Sequence, residues 1–257
     1  MQPPAAVNTS IPNVARMYDY YLGGKDHFEA DRQAADRALE LVPEIREGAV
    51  NSRAFLRRAV TALRELGVDQ FVDIGSGLPT QGHVHEAAGD ASVVYVDNDP
   101  VVLAHARALL QTHKRVWVQP GDLREPEKVV DHALEVLDPT RPVAVLVVSV
   151  LHFISDEEDP AGIVRRLLDR LPAGSYLVLT HVAPDLRPSS APGVSAVYQR
   201  SSAPFTARTR PQFERYVAGL ELLEPGIVNN KEWRPESPPE LMGGDHHLVA
   251  VGRKPQV

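Results

Sequence analysis

Between residues 70 and 180, short apolar runs alternate with segments whose apolar positions recur every three or four residues. The runs read as strands and the longer spacing as helices. The predicted strands are Gln70–Ile74, Ser92–Val96, Val116–Val118, Val143–Val148 and Ser175–Thr180. Between them the pattern predicts helices over Val101–Leu110, Glu125–Leu137 and Pro160–Leu171. Asp99-Pro100 and Asp159-Pro160 each place a capping carboxylate ahead of a proline at the first helical position. The unbroken apolar run Val143–Val148 suits a central parallel strand covered on both faces. Leu220–Val228 and His247–Val251 follow with no helix between them, which predicts an antiparallel hairpin at one edge. The fold class is α/β, with a doubly wound, mostly parallel seven-stranded sheet.

No strand pattern occurs before residue 68. Residues 1–12 are polar and proline-rich, and Asn13 can cap a helix over Val14–Leu22 that Gly23-Gly24 ends. Asp26 and Glu29 have the spacing of a capping box for a helix from His27 to about Val42. A third helix starts near Pro43, with Ile45, Ala49, Ser52, Leu56, Ala59, Leu63 and Leu66 on one face. The expected organisation is therefore an arm and helical cap over residues 1–67, and a sheet domain over 68–257. The stretch Ala183–Ala207, rich in Pro, Ser and Ala, reads as an irregular ordered loop or lid that helps shape a pocket. Thr209 and Gln212 cap one more helix, through Ala218.

The chain has 257 residues, no cysteine and a net charge of −7. Without cysteine there are no disulfides, thiolate nucleophiles or Cys-ligated metals. The acidic balance lacks the footprint of a duplex-nucleic-acid binder and suits a protein acting on a small molecule. Met1-Gln2-Pro3-Pro4-Ala5-Ala6 has no signal-peptide character, and the most apolar stretch, Val143–Ile154, is too short to span a membrane. A cytoplasmic protein with no membrane partner is expected. His85-Glu86 and His246-His247 are adjacent pairs, whose side chains splay apart, so no metal site is expected.

Candidate chemistry gathers at the carboxyl ends of the strands, where open α/β sheets bind their ligands. Asp73-Ile74-Gly75-Ser76-Gly77 follows the first strand, and the two glycines permit a tight turn with close ligand approach. A dinucleotide site wants a third glycine at position 80, where this chain has Thr80. Asp97 ends the second strand and can accept from both hydroxyls of a ribose. Gly121-Asp122-Leu123 follows the third strand, where Asp122 is either a turn residue or an acceptor for an adenine amino group. Ser149 and His152 emerge from the fourth strand into the same crevice.

These features, in this order, resemble the class I S-adenosylmethionine-dependent methyltransferases over residues 68–252. Pro12–Asp26, Phe28-x-Ala30-Asp31-Arg32, Asp73–Thr80, His85-Glu86, Tyr95–Pro100 and the tail from Gly219 to Gly226 also resemble an actinobacterial methyltransferase family once catalogued as a domain of unknown function. The resemblance implies a Rossmann-like sheet with S-adenosyl-L-methionine as cofactor. It implies Asp73, Gly75, Ser76 and Gly77 at the methionyl end, Asp97 and Asn98 at the ribose, Asp122 and Leu123 at the adenine, and Ser149 beside them. Arg16, Tyr18 and Tyr21 of the first helix are expected to cap the crevice. His152 and Tyr18 are the candidate general bases. The expected reaction is methyl transfer to a small-molecule acceptor. The rival readings are a cofactor-binding sensor or accessory protein, and a nicotinamide-dependent oxidoreductase.

Overall fold

The computed structural model describes residues 8–79, 82–110, 113–183, 191–236 and 247–256, the side chains of Ala191 and Pro192 excepted. Five parallel strands form the body of the sheet: β1 (Gln70–Ile74), β2 (Ser92–Asp97), β3 (Val116–Pro120), β4 (Ala144–Val147) and β5 (Tyr176–Val182). β6 (Glu221–Leu222), β7 (Val228–Asn229) and β8 (His247–Arg253) complete it. The order is β3-β2-β1-β4-β5-β8-β6, with β7 also on β8, and β8 runs antiparallel to β5, β6 and β7. The chain winds outward from β1 in one direction and from β4 in the other, so a crevice opens where these two strands diverge.

The sheet has eight strands rather than the seven predicted. The expected strand Leu220–Val228 is two short pieces, because Pro225, without an N–H, and Gly226 turn the chain between them. Both pieces still pair with β8, so the antiparallel edge is as predicted.

Alternate residues of each strand face opposite layers. Val72, Val94, Val96, Val145 and Val147 pack against α6 (Pro126–Leu134), α7 (Pro160–Asp169) and α9 (Arg210–Tyr216). Phe71, Val93, Tyr95 and Leu146 pack against α3 (Ile45–Glu65), α4 (Val84–Ala88) and α5 (Pro100–Leu110). Helix α3 contributes Phe55, Leu56, Ala59, Val60 and Leu63 to this second layer. A third cluster joins α1 (Val14–Tyr21), α2 (Glu29–Leu41) and α8 (Ala191–Tyr198) through Met17, Tyr21, Ala34, Ala35, Ala38, Val194 and Tyr198. The N-terminal helices thus divide: α3 lies against the sheet, while α1 and α2 pack together beside the crevice.

Two local expectations change. Helix α2 begins at Glu29 and is held by Asp31, whose carboxylate accepts from Phe28 N at 2.7 Å; Asp26 N instead donates to Asp19. Asp31 is preferred because it lies three residues into the helix, within reach of the free amide at its start. Residues 191–198, inside the stretch expected to be irregular, form α8. Pro192 falls in its first turn, where a missing N–H breaks no helical bond. Among the described residues, no helix is long and apolar enough to cross a membrane.

Candidate functional site

A cavity of about 490 Å³ opens at the carboxyl ends of β1 to β4. Its floor is the turn after β1. Gly75 and Gly77 have φ of +69° and +67°, a region other residues avoid, and a Cβ on Gly75 would collide with Val150. Gly75 N and Ser76 N both donate to Val96 O, at 2.8 and 3.2 Å, which fastens the turn to the end of β2. Asp73, the last acidic residue before the turn, lines the cavity. Burial pushes its carboxyl up to about 6, against the opposing pull of Arg53.

Asp97 faces this turn from the end of β2. One carboxylate oxygen accepts from Gly77 N at 3.0 Å and the other from Asp99 N at 2.9 Å. These bonds fix the carboxylate plane and leave further lone pairs for a ligand. Burial raises its pKa to about 6 although the backbone donors pull it down. Asp99 caps α5, accepting from Val101 N at 2.7 Å. Farther along, Asp122 accepts from Asn98 Nδ2 at 3.0 Å and from Arg124 N at 2.9 Å. Burial alone would raise the Asp122 carboxyl, but these bonds and the Arg124 charge hold it below its ordinary value. Arg124 also pairs with Glu158 and donates to Phe153 O at 3.2 Å. Ser149 holds φ +59°, an uncommon conformation for serine, with its amide donating to Thr180 Oγ1 at 2.8 Å. Its hydroxyl is buried without a hydrogen-bond partner among the described residues.

The fourth wall comes from the cap. Asn13, Val14, Ala15 and Tyr18 line the cavity, together with Ser202 and Ala203. Ser202 N donates to Pro12 O at 2.8 Å and Val14 N to Ser202 Oγ at 3.1 Å, so the two segments close the rim together.

The structure brings Asp73, Gly75, Ser76, Gly77, Asp97, Asn98, Asp122, Leu123, Ser149 and Tyr18 around this one cavity. Arg16, Tyr21 and His152 are not among its lining residues. The Arg16 guanidinium is buried against Asp31 at 2.8 Å and also donates to Ile11 O, so it ties the arm to α2. Tyr21 is buried in the cap with its hydroxyl 3.1 Å from that of Tyr198. Tyr18 and Tyr21 share a face as expected, but that face runs from the cavity into the cap cluster. His152 packs on Phe153, Phe205 and His181. Burial, then the nearby His181, His247 and Arg208, holds its pKa well below the ordinary histidine value.

Arg53, Arg124, Leu56, Val150 and Phe153 also line the cavity and were not among the expected site residues. Arg124 could have been suspected from its place two residues after Asp122. Arg53 could not: it is one of several arginines on α3, and only packing brings it to the glycine turn. Thr80 and His246 lie outside the described residues. Among the described residues, no group of three acidic or histidine side chains could hold a metal ion.

A doubly wound sheet with a glycine turn facing a strand-end carboxylate defines a protein that binds a nucleoside-bearing cofactor. The chain belongs to the S-adenosyl methyltransferase family, whose model matches residues 1–255. A DUF574 family protein from Streptomyces avermitilis is 38% identical, with a TM-score of 0.91 over 96% of this chain and 99% of that one. A candidate methyltransferase from Thermobifida fusca is 37% identical, with a TM-score of 0.92 over the whole of both chains. The N-methyltransferase NodS from Bradyrhizobium japonicum, solved with S-adenosyl-L-homocysteine, shares the fold at 15% identity and a TM-score of 0.52, over 94% of this chain and all of that one. No curated protein matches the chain. The protein is an S-adenosylmethionine-dependent methyltransferase with an unidentified acceptor, and nothing supports the oxidoreductase alternative.

Proposed function

We propose that this methyltransferase acts in the cytoplasm on a small-molecule acceptor, and that the cavity at the ends of β1 to β4 holds its cofactor. The carrying observation is the Asp97 carboxylate, oriented by Gly77 N and Asp99 N toward the crevice where β1 and β4 diverge. The buried, unpartnered Ser149 hydroxyl and the open turn at Gly77 support the fit, and a cavity of about 490 Å³ suits a nucleoside with an amino-acid tail. The net charge of −7 supports a small acceptor over duplex nucleic acid. The two actinobacterial relatives support an actinobacterial source.

In this reading Asp97 takes the ribose hydroxyls, with Asn98 beside it. Asp122 and Leu123 border the adenine, with Arg124 holding Asp122 ionised. Gly75, Ser76, Gly77 and Asp73 take the methionyl end. When bound, the cofactor supplies a methyl group on a positively charged sulfur, an activated leaving group. The protein's task is then to hold acceptor and methyl group in line and to exclude water. Tyr18 and Phe153 supply aromatic wall, and the rim at Val14 and Ser202 closes over it. Tyr18 donates its hydroxyl proton to Ala49 O at 3.1 Å, which suits a wall residue better than a base. Neutral, buried His152 supports the packing of Phe153 rather than proton transfer.

Titration calorimetry with S-adenosyl-L-homocysteine and with NADH tests the cofactor site. Saturable binding of the first alone is expected. Loss of that binding should follow substitution of Asp97; unchanged affinity would overturn the assignment of this cavity.

A further inference from the structure

The cavity holds two arginines in opposite circumstances. Arg124 is paired with Asp122 and Glu158 and donates to Phe153 O. Arg53 has no carboxylate of a described residue within 4.0 Å; its hydrogen bond, to Ser76 O, is long at 3.4 Å. Its Nε is buried with no partner among the described residues. Burying a charged donor without a partner is costly, so an arginine left this way points to an anion that completes it.

The position says which anion. Arg53 approaches the glycine turn itself: a Cβ on Gly77 would stand 3.8 Å from its Nη2. Its guanidinium also lies over the Tyr18 ring, 5.5 Å from the centroid, which steadies its plane. The Asp73 carboxylate, at the same end, likewise accepts no hydrogen bond from a described residue, and its link to Arg53 is through charge rather than a direct pair. A separated anion and cation beside one turn form a receptor for a zwitterion, whose ammonium meets the carboxylate and whose carboxylate meets the guanidinium.

We infer that Arg53 binds the α-carboxylate at the amino-acid end of S-adenosylmethionine. The inference rests on the reading that the glycine turn faces the methionyl end. Arg53 arrives on α3, from outside the sheet, so the helix that packs Phe55 and Leu56 into the core also delivers this contact. The interaction is ionic and needs no transfer step.

Three probes separate the possibilities by calorimetry on the full chain: S-adenosyl-L-homocysteine, its decarboxylated amine, and 5′-methylthioadenosine, which lacks the amino-acid end. With the parent protein, removing the carboxylate should weaken binding by about 10- to 100-fold, the range for a charge-assisted hydrogen bond. In Arg53→Gln that same change of ligand should cost less than about threefold, while 5′-methylthioadenosine binds parent and variant alike. Arg53→Lys should recover part of the difference, since it keeps the charge but not the fork. An equal penalty in parent and Arg53→Gln overturns the assignment and leaves the cofactor site intact. So does a parent protein indifferent to the carboxylate, a result that needs no variant to fold. If none of the three probes binds the parent, the reading of the cavity fails and Arg53 falls with it.

Discussion

Asn13 Nδ2 donates to Asp99 Oδ2, so two helix caps 86 residues apart are bonded to each other. Asn13 caps α1, its Oδ1 accepting from Ala15 N at 2.9 Å and Arg16 N at 3.1 Å. Asp99 caps α5 and donates its amide to Asp97. A three-residue chain therefore joins the N-terminal cap to the carboxylate proposed for the ribose, and the cap's position is coupled to the site through side chains rather than through contact alone.

Substitutions along this chain should separate two roles. Asp97→Ala is expected to weaken S-adenosyl-L-homocysteine binding by about 100-fold or more, since two bonds to a charged acceptor are lost at about 1.5–3 kcal/mol each. Asp99→Ala should lower stability by about 1 kcal/mol through the lost α5 cap, as should Asn13→Ala through the α1 cap. Because these two residues share a bond, the double variant should lose less than the sum of the singles. Calorimetry and denaturant titration of the four proteins give both quantities. Strict additivity would mean that the shared bond contributes nothing in solution.

The two buried carboxyls at the site should make binding proton-linked. Burial, as the largest cause, raises Asp73 and Asp97 to about 6. In the free protein both groups hold protons at a pH where an unfolded chain has released them. These groups therefore favour the folded state increasingly as pH falls from about 6 to about 4, and that contribution is lost as pH rises through about 6. A positively charged ligand prefers the ionised carboxylates, so its binding should release protons near pH 6, and its affinity should fall as pH drops below that. Calorimetry in buffers of different ionisation enthalpy counts the protons. No release near pH 6, with full affinity at pH 5, would refute the linkage.

Arg208 should hold the β4 exit in place. It is 1% exposed and donates to Leu151 O at 3.3 Å, Ile154 O at 2.6 Å and Asp156 Oδ1 at 2.8 Å. It also lies 3.1 Å from His181 Nε2. His181 Nδ1 donates to Val182 O at 2.9 Å, and because the Arg208 guanidinium can only donate, Nε2 must accept from it, so the ring is neutral. Burial, the leading cause, keeps His181 neutral by lowering its pKa to about 3. Arg208→Met should lower stability by about 2–3 kcal/mol, because two buried carbonyls lose their donor. It should also weaken cofactor binding, since Phe153 and Ile154 line the cavity. Chemical denaturation and calorimetry measure both; a variant as stable as the parent would show that water replaces the guanidinium.

The alternation of apolar runs, the two Asp-Pro caps and the glycine turn determined the sheet, its winding and most of the site without reference to any distant contact. Those signals are local: strand burial follows from runs of apolar residues, and capping from the few residues flanking a helix. Asp73, Asp97 and Asp122 were legible because each stands at a strand end, which the topology alone directs to the crevice. The pieces decided only by tertiary structure depend on contacts between remote segments. Helix α8 forms inside a proline-rich stretch because Val194 and Tyr198 find the cap cluster. Arg16 and Tyr21 turn inward because Asp31 and Tyr198 are there to receive them. Arg53 reaches the glycine turn because α3 packs across the sheet, an arrangement fixed by burial of its apolar face and invisible in the spacing of its charges.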